Sequence, residues 1–584
     1  MHNSIFPYLF SICILLLGCK NQESHLSIPA PIQEAIANES IIAPPPSTIQ
    51  GWIKKIIDDA QIDSSNIIST EAEPILYSTL PIINVYQQNE FNALWVNETG
   101  LNNNGEELLK LLYQTEQYGL LKKYYGTENI GNALKALVSK EEKSKTITDI
   151  ELSLSNAWFL LALHLHEGAV NDQLLNNNFG NQIGFYTQTL LKSIKNKNIQ
   201  SDLENLQPQD FQYKNLESAL IQLSNSKNKI PKGFTIPDHK SDSAACAQKV
   251  IEALKYQGIL DSSEVSKEKY ITALKKFQLD HGLEADGVPG PNTRTLLLLD
   301  NDEKYKRIAI NLDKWRSQKY QFPQEYLFVN IPAFELYWIK DNKVIDKHRV
   351  IVGKPSNSTP DIISEINQVV INPDWSVPQS IIKGELKHKS SGYLSKYDIF
   401  QNGNKVNPGR VKWNAGNIRI VQPPGPTNAL GNIKFLFKNN HSVYLHDTPS
   451  RNLFANSVRA YSHGCVRVQN PLELGISLLK RDGIEISMDS VQSIIETRKT
   501  NTINLKNKMP IYIQYYTSTA IDQQQPSYYP DLYNQQEKFA AVLFYGKYDK
   551  TVSSKQAKKA LPSISANPKA LELPTDSLSL QATP

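Results

Sequence analysis

Cysteine is scarce, with four in 584 residues, and Cys13 and Cys19 both fall within the first twenty positions. The body that remains holds only Cys246 and Cys465, which excludes a disulfide framework. Charge bias is missing as well. Lysine and arginine total 62 against 58 for aspartate and glutamate, a net of +4, so electrostatics give little reason to expect nucleic acid as a partner. Ile5 to Leu17 is apolar but shorter than the roughly 20 residues of a comfortable transmembrane helix, and has the length of a signal-peptide h-region. A composition of 40% hydrophobic and 21% charged residues excludes a wholly disordered chain and a multi-spanning membrane protein. What the sequence does have is length: at about 150 residues per domain it holds roughly three to four structural units.

The apolar run ends in Leu16-Leu17-Gly18-Cys19, which resembles the lipobox of bacterial lipoproteins, although Met1 to Pro7 contains no Lys or Arg. The resemblance implies cleavage after residue 18 and lipidation of Cys19; an ordinary cleaved signal is the plainer alternative. Several acyl chains on one residue anchor a protein stably. Residues 19–50, with Pro29, Pro31 and Pro44-Pro45-Pro46, read as an extended tether. An exported chain that keeps a solitary thiol as far along as Cys465 invites a search for a nucleophile.

Residues 51–240 are helical in pattern. Leu108, Leu109, Leu111 and Leu112 recur at helix spacing, as do Leu152, Ala157, Leu160, Leu161 and Leu165. His164 and His166, two apart, point to different faces of their helix and do not make a metal pair. Residues 241–300 contain Ala273-Leu274-Lys275-Lys276-Phe277-Gln278 and the loop Asp286-Gly287 to Gly290-Pro291 and Thr293, which resemble the peptidoglycan-binding module, a small three-helix domain. The glycines permit its tight turn, and Asn292 or Thr293 is placed to cap its last helix; a helical hairpin without a ligand is the plainer reading. Cys246 reads as a small buried hydrophobe. A connecting helix at 301–321 leads to period-two segments at Tyr326–Ile331, Phe334–Ile339 and Val344–Val352, the last two flanking a hairpin turn. A β-rich domain is expected over 322–500. Its polar stretch 381–411 reads as a lid, residues 501–546 as a C-terminal extension with a strand pair near Pro510–Tyr516, and 547–584 as a flexible tail.

Tyr444-Leu445-His446-Asp447-Thr448-Pro449 is followed, after residues 447–461, by Ser462-His463-Gly464-Cys465-Val466-Arg467. A thiol must lose its proton to attack a carbonyl, and an imidazole can take that proton and return it to a leaving amine. Gly464 lets the backbone approach a substrate closely, so its amide and that of Cys465 are candidate donors to an oxyanion. Asn470-Pro471-Leu472-Glu473 supplies N-cap, N1 proline and N3 glutamate, so the next helix starts after the thiol and Cys465 falls on a strand end or loop.

These residues are identified as resembling the YkuD-type catalytic domain of the L,D-transpeptidases, whose signature is a His followed at this distance by Ser/Thr-His-Gly-Cys. The similarity extends to the large multidomain branch with a helical scaffold and a peptidoglycan-binding domain. It runs through Arg307–Arg316, Val329–Phe334, Val352-Gly353-Lys354-Pro355, Asn372–Pro378 and Gln422–Gly431, and covers roughly residues 70 to 535. The fold it implies is a multidomain chain: α-helical scaffold, small three-helix peptidoglycan-binding domain and β-rich catalytic domain. It implies Cys465 as nucleophile and His446 as base, with His463 and Gly464 shaping the oxyanion site. Asp447 would orient the imidazole, through its carbonyl or its side chain. Ser462 and Arg467 are possible substrate contacts; Arg467 would meet a substrate carboxylate or make a structural ion pair. His441 reads as a surface residue.

The implied reaction is acyl transfer. Cys465 attacks the carbonyl of the third residue of a tetrapeptide stem, D-alanine leaves, and the side-chain amine of another stem resolves the thioester as a 3→3 cross-link. Carbapenems commonly inactivate family members by acylating the same thiol. No cofactor and no metal are implied. The implied partners are peptidoglycan, as stem donor and amine acceptor, and a membrane reached through the lipid, with a periplasmic location and a role in cell wall biogenesis and cell shape. With water as acceptor the same site is an L,D-carboxypeptidase; without catalysis the chain is a wall-binding lipoprotein. A papain-type peptidase would usually place its thiol before its histidine and at a helix N-terminus, the reverse of the order here. A zinc site from Cys465, His463 and His446 lacks a fourth ligand at sensible spacing.

Overall fold

The computed structural model describes residues 46–544 apart from 63–67, 69, 71–75, 138–142, 171–178, 226–229, 262–263, 319–321 and 522–524. The signal segment 1–18, Cys19, the tether to residue 45 and the tail 547–584 lie outside the described residues.

The scaffold is built from α1 (Ile49–Ile62), α2 (Thr79–Gln88), α3 (Asn103–Tyr113), α4 (Thr127–Ala136), α5 (Lys143–Glu167), α6 (Ile183–Asn196), α7 (Ile199–Glu204) and α8 (Phe211–Ser224). Helix α5 is its axis. Its Leu and Ala positions are buried, and so are its polar Glu151, Ser153 and Ser155, as expected of a helix packed on all sides. Glu151 is tolerated there because its carboxyl accepts from the Tyr86 hydroxyl at 2.5 Å and from the amides of Leu94 and Trp95 at 2.6 and 2.9 Å. His164 bonds the Tyr125 hydroxyl at 2.9 Å, and no cluster suited to a metal is present among the described residues.

The expected three-helix module consists of α9 (Ser243–Tyr256), α10 (Lys267–Asp280) and α11 (Pro291–Leu297). Asp242 and Ser266 cap the first two, accepting from Ala245 and Lys269 amides at 2.9 and 3.2 Å. The third differs from expectation. Gly290 occupies the N-cap with Pro291 at N1, and Thr293 is turned inward, where its hydroxyl accepts from the buried Gln278 amide at 3.4 Å. Cys246 is fully buried, as expected. Helix α12 (Asn301–Arg316) then leads into the β domain.

That domain is a sheet of β1 (Glu325–Asn330), β2 (Glu335–Lys340), β3 (Lys343–Gly353), β4 (Ile362–Ile371), β9 (Ile433–Phe437), β10 (Leu445–His446), β11 (Ala460–Ser462), β12 (Val466–Val468) and β13 (Asn501–Gln514). The order is β11-β3-β12-β10-β9-β4-β13-β1-β2, and β2 pairs again with β3, so the sheet closes on itself and leaves few exposed edges. Asp341 and Asn342, both at positive φ, make the β2–β3 turn in the manner of a type I′ hairpin. The interior is filled by Leu327, Val329, Val350, Val352, Phe435, Leu445, Val466 and Val468 and is capped by α15 (Pro471–Arg481) and α16 (Met488–Glu496).

Three expectations are corrected here. Residues 501–514 are no appendage: β13 lies inside the sheet, antiparallel to β4 and parallel to β1. No separate strand pair forms at Pro510–Tyr516, because Ile511 and Ile513 are consumed by the pairing with β1 and β4. Before α15, Asn470 adopts left-handed geometry and its side chain makes no capping hydrogen bond, so the helix starts at Pro471 without the capping box.

The expected lid is a folded insert. Strands β5 (Trp375–Ser376), β6 (Asp398–Gln401), β7 (Asn404–Val406) and β8 (Ile418–Gln422) form a sheet in the order β5-β8-β6-β7, with α13 (Gln379–Gly384) and α14 (Ser391–Leu394) against it. Val377, Ile382, Leu386, Leu394, Tyr397, Ile399, Ile418 and Ile420 give it a core of its own.

Candidate active site

Strands β10 and β12 run side by side and parallel, with Leu445 opposite Val466 and His446 opposite Arg467. The pairing is fixed one residue earlier by the Val466 amide donating to the Tyr444 carbonyl at 3.1 Å. Leu445, Val466 and Val468 are buried in the barrel interior. Side chains alternate along a strand, so Tyr444 and His446 on one strand and Cys465 and Arg467 on the other share the opposite face.

The turn Ser462–Cys465 presents the thiol. Gly464 sits at φ +117°, a conformation that side-chain-bearing residues rarely adopt. Ser462 Oγ donates to the Cys465 carbonyl at 2.5 Å and accepts from the Gly464 amide at 3.1 Å. The Gly464 amide is therefore engaged within the turn, whereas that of Cys465 donates to no protein group among the described residues. From outside, Thr359 Oγ1 donates to the Gly464 carbonyl at 2.9 Å while accepting from the Gly353 amide at 2.9 Å. Tyr533 braces Thr359 in turn: its hydroxyl accepts from the Thr359 amide at 3.1 Å and donates to the Gly353 carbonyl at 2.7 Å.

Electrostatics set the protonation states. Burial pushes the Cys465 thiol above its ordinary value, and hydrogen bonding from Tyr444 and the Arg467 guanidinium only partly offset this. The thiol donates to the Ser442 carbonyl at 3.8 Å. Burial also lowers His446, to about 3, with Arg467 and Lys434 pushing the same way and the Asp447 backbone opposing them. The imidazole is thus neutral, the form that can accept a proton. Its Nδ1 is buried with no hydrogen-bond partner of standard geometry, while the Asp447 backbone interacts with the ring and favours its protonated form. The Asp447 carboxylate faces elsewhere, accepting from Thr448 and Asn432 amides at 2.7 and 2.9 Å with Arg451 at 3.5 Å. A methyl on Gly431, at φ +61°, would collide with that carboxylate.

Residues 324–486 match the model of the YkuD L,D-transpeptidase catalytic domain, residues 81–220 that of a scaffold domain, and residues 245–297 that of a peptidoglycan binding domain. The chain carries an L,D-transpeptidase catalytic domain. A Haemophilus influenzae protein, provisionally named an L,D-transpeptidase, is 35% identical to this chain over 217 residues, which is 35% of this chain and 44% of that protein. The chain therefore spans less than half the length of that curated relative. Among solved structures, an L,D-transpeptidase from Mycobacterium smegmatis is 13% identical, covers 33% of this chain and 58% of its own, and has a TM-score of 0.15. An Ldtfm–avibactam carbamoyl enzyme is 12% identical, covers 33% and 49%, and scores 0.17. Likeness that slight carries no argument.

Within the transpeptidase domain, Cys465, His446 and Arg467 fall on one face. Ser462 is buried in the turn, and the exposed His463 ring is turned to the insert, its Nε2 2.7 Å from Glu385 Oε1. Arg467 makes no ion pair among the described residues, and its Nε is buried without a partner. His441 is exposed, as expected. Sequence reasoning missed three groups. Tyr444 is directly opposite Cys465, and its hydroxyl interacts with the thiol and with Trp375 of the insert; burial pushes it well above an ordinary phenol, so it is protonated and a donor. Alternation from His446 back to Tyr444 was the available signal. Thr359 and Tyr533 had none, because their role arises from contacts 105 and 180 residues apart in the chain.

Proposed function

We propose that this protein is an L,D-transpeptidase forming 3→3 peptidoglycan cross-links through an acyl-enzyme on Cys465. The observation that carries the reading is a protonated thiol and a neutral imidazole on one face of adjacent parallel strands, beside a protonated phenol. As the Cys465 sulfur attacks the carbonyl between the stem diamino acid and the terminal D-alanine, its proton passes to His446. The oxyanion is met by the Cys465 amide and the Tyr444 hydroxyl. On collapse the C–N bond breaks and His446 returns the proton to the departing D-alanine amine, leaving a thioester. The side-chain amine of a second stem then attacks, His446 takes its proton, and sulfur leaves as the thiol. Water in place of that amine gives the carboxypeptidase reaction.

Arg467, a cation with no carboxylate partner among the described residues, suits a stem carboxylate and argues against the structural ion pair. The peptidoglycan-binding module suits the same substrate. Export, with Cys19 lipidated and the chain held at the periplasmic face of a membrane, completes the reading.

The test is incubation of the full chain with tetrapeptide muropeptides. Cross-linked dimer, or tripeptide from hydrolysis, is expected from the natural sequence and neither from Cys465→Ala; absence of both products from the natural sequence refutes the enzyme reading. A carbapenem should add its mass to Cys465. Palmitate incorporation should be lost in Cys19→Ala; incorporation that survives would remove Cys19 as the site of lipidation.

A further inference from the structure

The insert 375–422 carries six lysines and two arginines against Glu385 and Asp398, a net of +6, while the whole chain is only +4. The other residues together are therefore slightly acidic, and the positive charge of this protein is concentrated in one subdomain. A charge run is usually only a solvated face, but these cations differ in three ways. Lys383, Lys387, Lys389, Arg410, Lys412 and Arg419 are exposed and have no carboxylate partner among the described residues; Lys405, bonded to Asp398 at 2.7 Å, is the exception. They are not needed to hold the insert together, since it has an apolar core of its own. Aromatic rings are set among them: Lys396 lies 3.9 Å from the ring centre of exposed Tyr393, with Lys389 at 5.5 Å, and Arg419 lies 4.6 Å from that of Phe400.

The patch is also joined to the active site. Glu385, between Lys383 and Lys387, reaches His463 at 2.7 Å, and Trp375, at the start of the insert, touches Tyr444. A polyanion lying on Lys383 and Lys387 is therefore held by a segment that contacts the turn carrying the thiol. We propose that the insert is an electrostatic docking surface for the carboxylates of polymeric peptidoglycan, gathering successive stem peptides on its lysines so that one of them enters the Cys465 groove. This rests on the transpeptidase reading for the identity of the substrate, and adds where the polymer binds. Peptidoglycan fits the chemistry because each stem presents several carboxylates. Unpaired exposed cations attract such a partner over about one Debye length, roughly 10 Å at 0.1 M salt, and the attraction weakens as salt rises.

The experiment is co-sedimentation of the full chain, carrying Cys465→Ala to prevent turnover, with purified sacculi at NaCl from about 50 to about 500 mM. Binding should weaken steeply with salt. Lys383→Glu, Lys387→Glu and Lys389→Glu combined should lower affinity roughly tenfold at low salt, the peptidoglycan-binding module supplying what remains. Sacculi whose carboxylates have been amidated should bind the parent no better than the variant. Arg410→Glu with Lys412→Glu, in the loop between β7 and β8, is an independent second variant, and an unchanged melting midpoint certifies each fold. Equal pelleting of parent and both variants, or a flat salt response, overturns the proposal. So does lysine-dependent binding to phosphatidylglycerol vesicles that exceeds binding to sacculi, which would assign the patch to a membrane. Failure of the enzyme reading would appear in the muropeptide assay and leave the pelleting result intact, so the two failures are distinguishable.

Discussion

Cys465 should become reactive late on a pH scale, unlike the thiol of a preformed thiolate–imidazolium pair. An ordinary thiol with a pKa of about 8.5 is roughly 3% ionised at pH 7. Burial raises Cys465 above its ordinary value despite the Tyr444 hydrogen bond and the Arg467 charge, so its thiolate share at pH 7 is smaller still. The histidine does not reverse this. His446 is held at about 3, so it is neutral throughout a neutral-pH assay and offers no cation to stabilise sulfur until a proton arrives from the attacking thiol itself. Alkylation by iodoacetamide, followed at each cysteine by peptide-resolved mass spectrometry, reads this directly. The Cys465 rate should climb about tenfold per pH unit from pH 6 past 8.5 without levelling off. Cys246, fully buried, should stay unlabelled in the folded protein and so reports any unfolding. A plateau reached below pH 7 would show a resting ion pair, and the proton inventory proposed for the reaction would have to be abandoned.

Tyr444→Phe should reduce kcat on tetrapeptide about 100-fold if the phenol is an oxyanion donor, and should shift the alkylation profile of Cys465 further to alkaline pH; an unchanged kcat would remove Tyr444 from the chemistry. Thr359→Val leaves the Gly353 amide and the Gly464 carbonyl without their shared partner, and should destabilise the transpeptidase domain by about 2 kcal/mol, read as a lower denaturation midpoint together with slower Cys465 acylation by a carbapenem. Acid should loosen the fold through its buried histidines. His446 is lowered to about 3, and His164 and His281 each to about 4, while the unfolded chain binds these protons near pH 6.5. These three groups therefore stabilise the fold most above that value and lose that contribution with acidification towards pH 4, by up to about 1.4 kcal/mol per unit for each, while Glu151, raised to about 7, and Asp210, raised to about 6, act in the opposite sense. His446→Gln should flatten the slope of denaturation midpoint against pH, and an unaltered slope would contradict the burial of a neutral ring.

What the sequence revealed of this molecule depended on how local the cause was. The thiol and the imidazole were readable because Ser462-His463-Gly464-Cys465 is a contiguous turn whose glycine has a backbone reason to be there. The scaffold helices were readable from leucine spacing, and the module from the segments Ala273–Gln278 and Asp286–Thr293. Strand β13 was not, because Asn501 to Lys508 is polar and its buried positions begin in earnest only at Met509; its central place comes from pairing with strands formed well over a hundred residues earlier. The insert read as a lid because its eight-residue core is diluted by lysine and asparagine. Asn470 misled because a residue suited to capping is equally suited to left-handed backbone, and the tertiary turn selected the second use.

The spacing between His446 and the Ser-His-Gly-Cys turn has a physical reason that the motif alone does not give. Two strands joined by a tight hairpin are antiparallel; parallel neighbours need a crossover of a dozen or more residues. Residues 447–461 are that crossover. The Asp447 carboxylate pins its start to the Asn432 and Thr448 amides. Near its end the buried Arg459 guanidinium donates to the carbonyls of Phe334, Val350 and Asn456 at 2.9, 3.2 and 3.0 Å. With both ends fixed, β12 enters beside β10 in one register only, and a slip of a single residue would send Cys465 to the barrel interior and Val466 to the solvent face. The placement of the proposed pair on one face is therefore a consequence of chain connectivity as much as of residue choice: residues far apart in sequence come onto neighbouring strands because the segment between them is long enough to cross over and is clamped where it does.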